Sequence, residues 1–159
     1  MPEASVNPNP PALAVDRAAD GWPLWSILVV DDELGMRNFL VKTLAPRCHY
    51  LLAAGSAEEA ATMLADHHFD LVILDISLPG KSGVSWLKEL REHGFSGEVI
   101  LITAFADLDT AIEALRAGAS DFILQPFPVP QILNALKHCY ERPPLARKNT
   151  WPRRSLPGQ

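Results

Sequence analysis

Short apolar runs alternate with segments of helical periodicity along the middle of the chain. The apolar runs predict five strands, at Trp25 to Asp31, Cys48 to Ala53, Asp70 to Asp75, Glu98 to Thr103 and Asp121 to Leu124. The middle runs are almost continuously apolar, which is typical of strands buried on both faces. Strands of this kind occur in parallel sheets, so the pattern predicts a parallel sheet.

The segments between these runs carry signals for helix ends. Ser56 and Glu59 have the spacing of a capping box, and Gly94 and Gly118 lie where helices should stop. One face of the first predicted helix is apolar, at Met36, Phe39, Leu40 and Leu44. Strand and helix therefore alternate with short connections and right-handed crossovers, which predicts an α/β fold with a doubly wound five-stranded parallel sheet. Ligands of such sheets bind beyond the carboxyl ends of the strands.

Composition narrows the class of protein. A chain of 159 residues with 48% apolar content has the size of a single domain. Its longest apolar runs have strand length, far below the ~20 residues of a membrane span, and no basic start precedes an apolar stretch. We therefore expect a cytoplasmic protein without membrane contact. Cys48 and Cys139 lack metal-site spacing, and His67 and His68 are neighbours on a predicted helix whose side chains diverge by ~100°, so neither pair predicts a metal site.

Charge and proline are distributed unevenly. Residues 25 to 140 hold 15 of the 19 acids and 8 of the 14 bases, a net charge of −7, which argues against direct nucleic-acid binding by this region. Nine of the 14 prolines lie within residues 1 to 24 or 141 to 159. This predicts a flexible N-terminal tail at 1–24, a folded domain at 25–140, and a basic C-terminal tail or linker remnant at 141–159.

Acidic residues stand at the predicted strand ends. The first strand ends in Asp31-Asp32-Glu33, the third ends in Asp75, and the fourth ends in Thr103-Ala104. Carboxylates gathered at one edge repel one another unless a cation neutralises them, and Mg²⁺ commonly binds one or two carboxylates together with phosphate oxygens. Such a site suits phosphoryl transfer, in which a carboxylate nucleophile forms an acyl phosphate.

In combination, these residues resemble the receiver domain of response regulators, over about residues 25 to 140. The resemblance rests on Val29-Val30-Asp31-Asp32-Glu33, Asp75-Ile76-Ser77-Leu78-Pro79-Gly80-Lys81-Ser82-Gly83, Thr103-Ala104, Gly118-Ala119-Ser120-Asp121-Phe122 and Pro126-Phe127. It implies a flavodoxin-like (βα)5 fold and a signalling domain of a two-component system. Such a domain takes a phosphoryl group from a sensor histidine kinase with Mg²⁺ or Mn²⁺. Beyond self-phosphorylation from small donors and self-dephosphorylation, it is not an enzyme.

The resemblance also assigns the metal ligands. By this resemblance, Asp75 occupies the position of the phosphoacceptor, which also contacts the metal. Asp32 occupies the position of a direct metal ligand. Asp31 is similar to the residue that assists through water, and the backbone carbonyl of Ser77 to the third protein ligand.

Switching and hydrolysis are assigned in the same way. Thr103 is similar to the residue that hydrogen-bonds the phosphoryl group, and Phe122 to the aromatic residue whose rotamer follows it. Ser77 and Phe105 occupy the positions that flank the path of the hydrolytic water. A bulky aromatic side chain there predicts slow self-dephosphorylation, because in-line attack depends on placing that water.

Thr103 to Phe127, together with Asn134-Ala135-Leu136-Lys137 and Leu145-Ala146-Arg147-Lys148-Asn149, is most similar to receivers of nitrogen-regulator-type (sigma-54) activators. The resemblance therefore implies regulation of transcription. It also implies an interaction face, for a homodimer or a target, made by the fourth helix, the fifth strand and the fifth helix.

One position departs from the family pattern. Receivers have a lysine immediately before the Pro-Phe pair, and here that position is Gln125, whose amide donates hydrogen bonds but carries no charge. The alternative hypothesis is therefore a phosphorylation-independent receiver that acts only as a protein-interaction module. A more distant alternative is a haloacid-dehalogenase-like phosphatase, which expects an acid where this chain has Ser77. A dinucleotide-binding enzyme is excluded, because no G-x-G-x-x-G follows the first strand.

Overall fold

The computed structural model describes residues 22–104 and 108–141. Its elements follow one another as strand and helix: β1 Ser26–Val30, α1 Leu34–Leu44, β2 Tyr50–Ala54, α2 Ala57–Asp66, β3 Leu71–Asp75, α3 Gly83–Glu92, β4 Glu98–Thr103, α4 Leu108–Arg116, β5 Asp121–Leu124 and α5 Val129–Tyr140. A short 3-10 helix, Ala45–Arg47, follows α1. The five strands are parallel and form one sheet in the order β2-β1-β3-β4-β5. The predicted α/β class and flavodoxin-like fold are therefore confirmed.

The chain divides into two compact units, the first ending at Ile73 and the second beginning at Leu74, within β3. In the first unit, β1 and β2 pair in parallel from Ser26 with Tyr50 to Val30 with Ala54. The interior of this unit is made by apolar side chains of both strands and both helices, including Ile27, Leu28, Leu40, Leu44, Leu51 and Ala60. The strand β1 is buried along its whole length, and Asp31 is the residue that directly follows it.

In the second unit, β4 and β5 pair in parallel from Ile100 with Asp121 to Thr103 with Leu124. The buried apolar residues come from β4 and from one face each of α3 and α5, and include Ile100, Leu101, Ile102, Trp86, Leu87, Ile132 and Leu136. Amphipathic helices thus cover strands that lack a polar face, as the near-continuous apolar runs predicted.

The predicted bounds of the last two strands match the structure, whereas the first three strands begin one or two residues later than predicted. The first strand also ends one residue earlier, at Val30, and the second ends one residue later, at Ala54. At Ser26, where β1 begins, the chain contacts the residue before β3. The Ser26 N–H donates to the Asp70 carboxylate (2.9 Å) and its carbonyl accepts from the Asp70 N–H (2.9 Å). Asp70 is thus engaged in a loop contact through its side chain, which a pattern of hydrophobic residues does not encode.

The helix-end predictions are confirmed at three places and wrong at one. Ser56 Oγ accepts from the Glu59 N–H (3.1 Å), and φ is positive at Gly94 (97°) and Gly118 (104°), beyond the ends of α3 and α4. The prediction that His67 and His68 are helical neighbours is wrong, because α2 ends at Asp66. Both histidines adopt other roles: His67 follows the helix as its C-cap, and His68 pairs with Asp70 (3.0 Å).

Most of the predicted tails lies outside the described residues, at positions 1–21 and 142–159. Trp22, within the predicted N-terminal tail, is buried. In the part of the chain that the structure describes, no helix has both the length and the apolar character needed to cross a membrane.

Candidate functional site

Asp31 is held at the end of β1 by contacts of both its backbone and its side chain. Its N–H donates to the Ala54 carbonyl (3.1 Å), which continues the pairing of β1 with β2, and its carbonyl accepts from Arg37 Nη1 (2.8 Å). One carboxylate oxygen accepts from the Glu33 N–H (2.9 Å), and only 1% of the residue is exposed. Asp31 is therefore a fixed carboxylate, whereas the neighbouring Asp32 is exposed to solvent.

Asp75 ends β3 and is 9% exposed. Its Oδ1 accepts from the N–H of Ser77 (3.0 Å), and the chain beyond it is anchored by a hydrogen bond from the Ile76 N–H to the Ile102 carbonyl on β4 (3.0 Å). These contacts fix both the peptide after Asp75 and one oxygen of its carboxylate.

The structure brings three predicted site residues together. Asp31, Asp32 and Asp75 each offer a carboxylate oxygen, and these oxygens lie within 4.8 Å of one another. Oxygen ligands of an octahedral Mg²⁺ at about 2.1 Å lie about 3.0 Å apart when cis and about 4.2 Å when trans. The donor set therefore fits a hard divalent cation in size and in chemistry, with one carboxylate bound through a water molecule or drawn in slightly.

Of the other predicted residues, Thr103 and Gln125 lie at the carboxyl ends of β4 and β5, whereas Phe122 lies earlier on β5. Thr103 is completely buried at the end of β4, and its carbonyl accepts from the Gln125 N–H (2.7 Å), so the position of the usual lysine lies beside Thr103. Phe122 is half-buried on β5 and pairs with Leu101. The peptide bond between Gln125 and Pro126 is cis. Phe105 lies outside the described residues.

Sequence reasoning missed two residues that hold this site. Arg37 on α1 donates to the carbonyl of Asp31, and no sequence signal distinguishes it from an ordinary helix-surface arginine. Glu33, which stands in the acidic run, caps α1 by accepting from the Met36 N–H (3.1 Å). The acidic run is thus divided between the group of three carboxylates and the helix cap, and its last member stabilises the helix N-terminus.

Comparison with family models identifies the family to which the chain belongs. The family model described as "Response regulator receiver domain" matches residues 27–137. The chain belongs to this family. Receivers are signalling domains of two-component systems rather than ordinary enzymes, they bind Mg²⁺ at an acidic pocket, and they work with histidine kinases.

Individual relatives support the subfamily. The regulatory protein AtoC of Escherichia coli strain K12 is 40% identical over 106 residues, which cover 67% of this chain and 23% of AtoC. The receiver domain of NtrX from Brucella abortus is 32% identical with a TM-score of 0.68, over 74% of this chain and 99% of that one. The beryllofluoride-activated NtrC4 receiver, a dimer in solution, is 31% identical with a TM-score of 0.69, over 73% of this chain and 96% of that one.

These relatives are receivers of the sigma-54 activator type, so the predicted subfamily resemblance is confirmed. The chain spans less than a quarter of the length of AtoC.

Proposed function

We propose that this receiver accepts a phosphoryl group on Asp75 from a sensor histidine kinase, in a divalent-cation-dependent reaction, and thereby regulates transcription. The observation that carries the proposal is the group of three carboxylate oxygens, from Asp31, Asp32 and Asp75, within 4.8 Å of one another. Buried or closely spaced carboxylates need a cation to offset their repulsion, and a phosphoryl group adds further negative charge. A bound cation would therefore offset negative charge both before and after Asp75 is phosphorylated.

Each residue has a distinct role in this proposal. Asp32, which is exposed, and Asp75 would ligate Mg²⁺ or Mn²⁺ directly, with the Ser77 carbonyl as a third protein ligand, and the buried Asp31 would act through water. When bound, the cation neutralises charge on the phosphoryl oxygens. An oxygen of the Asp75 carboxylate attacks phosphorus in line, the bond from phosphorus to the donor imidazole nitrogen breaks, and that nitrogen regains a proton.

Thr103 and Phe122 supply the response. The Thr103 hydroxyl hydrogen-bonds the phosphoryl group and the Phe122 ring follows this movement. Phe105 hinders the hydrolytic water, so that the phosphorylated state is long-lived. Residues 25–140 form the receiver, flanked by tails at 1–24 and 141–159, and the protein acts in the cytoplasm without binding nucleic acid through this domain.

Gln125 gives the alternative its support. Gln125 lies beside Thr103, at the position where a family lysine forms an ion pair with the phosphoryl group. The amide of Gln125 carries no charge. In the alternative, the fold serves as a phosphorylation-independent interaction module. We favour phosphorylation, because all three predicted acids lie in one group. Clustered carboxylates repel one another, and binding a protein partner alone would not require them.

The experiment is incubation of the full chain with acetyl phosphate or phosphoramidate and Mg²⁺, followed by intact mass spectrometry. One labile phosphate, absent in Asp75→Asn and absent with chelator, supports the proposal. Steady turnover of the donor without accumulation of phosphoprotein supports a haloacid-dehalogenase-like phosphatase. No modification at all supports the interaction module.

A further inference from the structure

The first residue of α3 lies directly against the peptide that follows Asp75. The N–H of Gly83 donates to the Ile76 carbonyl (2.7 Å). A Cβ on Gly83 would lie 2.6 Å from Ile76 Cα and 2.7 Å from the Asp75 carbonyl oxygen, both backbone atoms. Since backbone atoms cannot rotate away as a side chain does, any side chain at position 83 must displace the chain at Asp75 and Ile76.

One peptide unit links this contact to the carboxylate of Asp75. In a trans peptide the carbonyl and the N–H point in opposite directions. In the peptide between Ile76 and Ser77, the carbonyl accepts from the Gly83 N–H and the N–H donates to Asp75 Oδ1 (3.0 Å). The orientation of this peptide plane is therefore fixed from the α3 side, and the direction of the carboxylate follows from it.

We propose that Gly83 is a positioning residue for the phosphoacceptor. By donating to the Ile76 carbonyl and by having no side chain, it holds the peptide through which Ser77 orients the Asp75 carboxylate. The proposal rests on the proposed function of Asp75, since it concerns how that residue is aimed for attack on phosphorus. Small displacements of reacting atoms are costly, and a misplacement of about 1 Å slows a reaction by roughly 100-fold.

The chain offers a matched control at Gly118. A Cβ there would lie 2.8 Å from Arg91 Nε, so Gly118→Ala also introduces a close contact in the same compact unit, but with the Arg91 side chain rather than with the Ile76 peptide. Gly118 has a φ of 104°, which adds backbone strain, so Gly118→Ala is also expected to be destabilised, and the free energy of unfolding of both variants is measured alongside. Comparing the two separates loss of stability from loss of positioning.

The experiment uses the full chain in two arms. In the first, free of metal and donor, hydrogen exchange of the Ser77 amide is followed by NMR. Exchange should be about tenfold faster in Gly83→Ala and in Asp75→Ala, as expected for loss of a hydrogen bond to a charged group, and unchanged in Gly118→Ala. In the second, phosphorylation by phosphoramidate with saturating Mg²⁺ should be roughly 10- to 100-fold slower in Gly83→Ala alone.

Several outcomes overturn the inference: unchanged Ser77 exchange in Gly83→Ala, phosphorylation of that variant at the parent rate, or equal slowing in Gly118→Ala. If Gly83→Ala does not fold, scalar couplings across hydrogen bonds in the parent protein decide. Couplings from Gly83 N to the Ile76 carbonyl carbon and from Ser77 N to the Asp75 carboxyl carbon support the inference, and their absence overturns it. A parent protein that takes no phosphate overturns the proposed function, while the exchange arm still tests the positioning.

Discussion

At the residue scale, the acidic run after β1 separates into residues with different tasks. Asp32 contributes an oxygen to the carboxylate group, whereas Glu33, the next residue, caps α1. Adjacent acids of the same charge are thus distinguishable by experiment, because only one of them has its carboxylate beside Asp75.

Replacing Asp32 by Asn should abolish detectable Mg²⁺ binding, since the site has few protein ligands and loses a full negative charge. Isothermal titration of the metal-free protein measures this. Glu33→Gln is the control and should leave the affinity unchanged, because Glu33 lies outside the carboxylate group. Equal affinity in Asp32→Asn and the parent would remove Asp32 from the metal site.

Replacing Gln125 by Lys should strengthen the response to phosphorylation. A ligand shifts a two-state equilibrium only by its differential affinity for the two states, and a charged hydrogen bond to the phosphoryl group contributes about 1.5 to 3 kcal/mol. NMR shifts around Phe122 and α4, recorded with and without a beryllofluoride mimic, should be larger in Gln125→Lys than in the parent. Full and equal shifts in both proteins would show that glutamine suffices.

Cys48 predicts a dependence of stability on alkaline pH. Burial raises the pKa of its thiol from 9.0 to about 12. Above pH 9 the unfolded chain loses this proton while the folded chain keeps it, so this contribution is present below pH 9 and is lost as pH rises from 9 towards 12. The loss is about 1.4 kcal/mol per pH unit in that window.

Urea unfolding at several pH values above 8 checks this prediction. The free energy of unfolding should fall with pH more steeply in the parent than in Cys48→Ala. Comparing slopes rather than absolute values removes the cost of the smaller side chain. Equal slopes in the parent and in Cys48→Ala would contradict a raised pKa of the Cys48 thiol.

At the element scale, Arg91 ties the end of α3 to two other segments. Its guanidinium donates to the carbonyls of Phe95 (2.8 Å) and Gly97 (2.7 Å) before β4, and to that of Gly118 (2.6 Å) after α4. Burial lowers the pKa of Arg91, while nearby Glu98 raises it. By contrast, Lys88 on the same helix pairs with Glu113 of α4 (3.1 Å) in an exposed position.

Arg91→Met should therefore cost about 3 kcal/mol of stability, because it removes the charged donor from three carbonyls, two of them in part-buried hydrogen bonds. Lys88→Met should cost less than about 1 kcal/mol, as exposed ion pairs do. The midpoints of urea unfolding at neutral pH compare the two variants directly. Similar losses in both would show that the three contacts of Arg91 contribute no more than one surface ion pair.

At the scale of the whole molecule, the second unit exposes several large apolar side chains on the predicted interaction face: Leu108, Ile112 and Leu115 on α4, Leu124 on β5 and Val129 on α5. The expected homodimer through this face would cover these side chains, and the beryllofluoride-activated NtrC4 receiver is a dimer. Clusters of exposed apolar residues of this kind mark contact surfaces.

Leu115→Glu should weaken self-association of the beryllofluoride-treated protein by at least about tenfold, because it places a charge within an apolar contact. Sedimentation velocity over a range of concentrations measures this. Leu34→Glu is the control, since Leu34 is also exposed but lies on α1. A treated parent that stays monomeric, or equal weakening in the control, would contradict the proposed face.

The sequence by itself determined the class of fold and most of the site's membership. Alternating apolar runs and helical stretches follow from hydrogen bonding and burial within short segments, and these are encoded locally. The positions of Asp31, Asp32 and Asp75 at strand ends were therefore readable, and so was the departure at Gln125. The family pattern supplied their proposed roles, which hydrophobic periodicity does not.

Only the tertiary structure decided how the site is held. The contact of Arg37 with the Asp31 carbonyl, the closeness of Gly83 to the Ile76 peptide, and the loop contact between Asp70 and Ser26 each join segments through packing. The end of α2 at Asp66, which removes His68 from the helix, is of the same kind. Such contacts depend on distances between atoms of different segments of the chain. No periodic pattern of side chains encodes those distances.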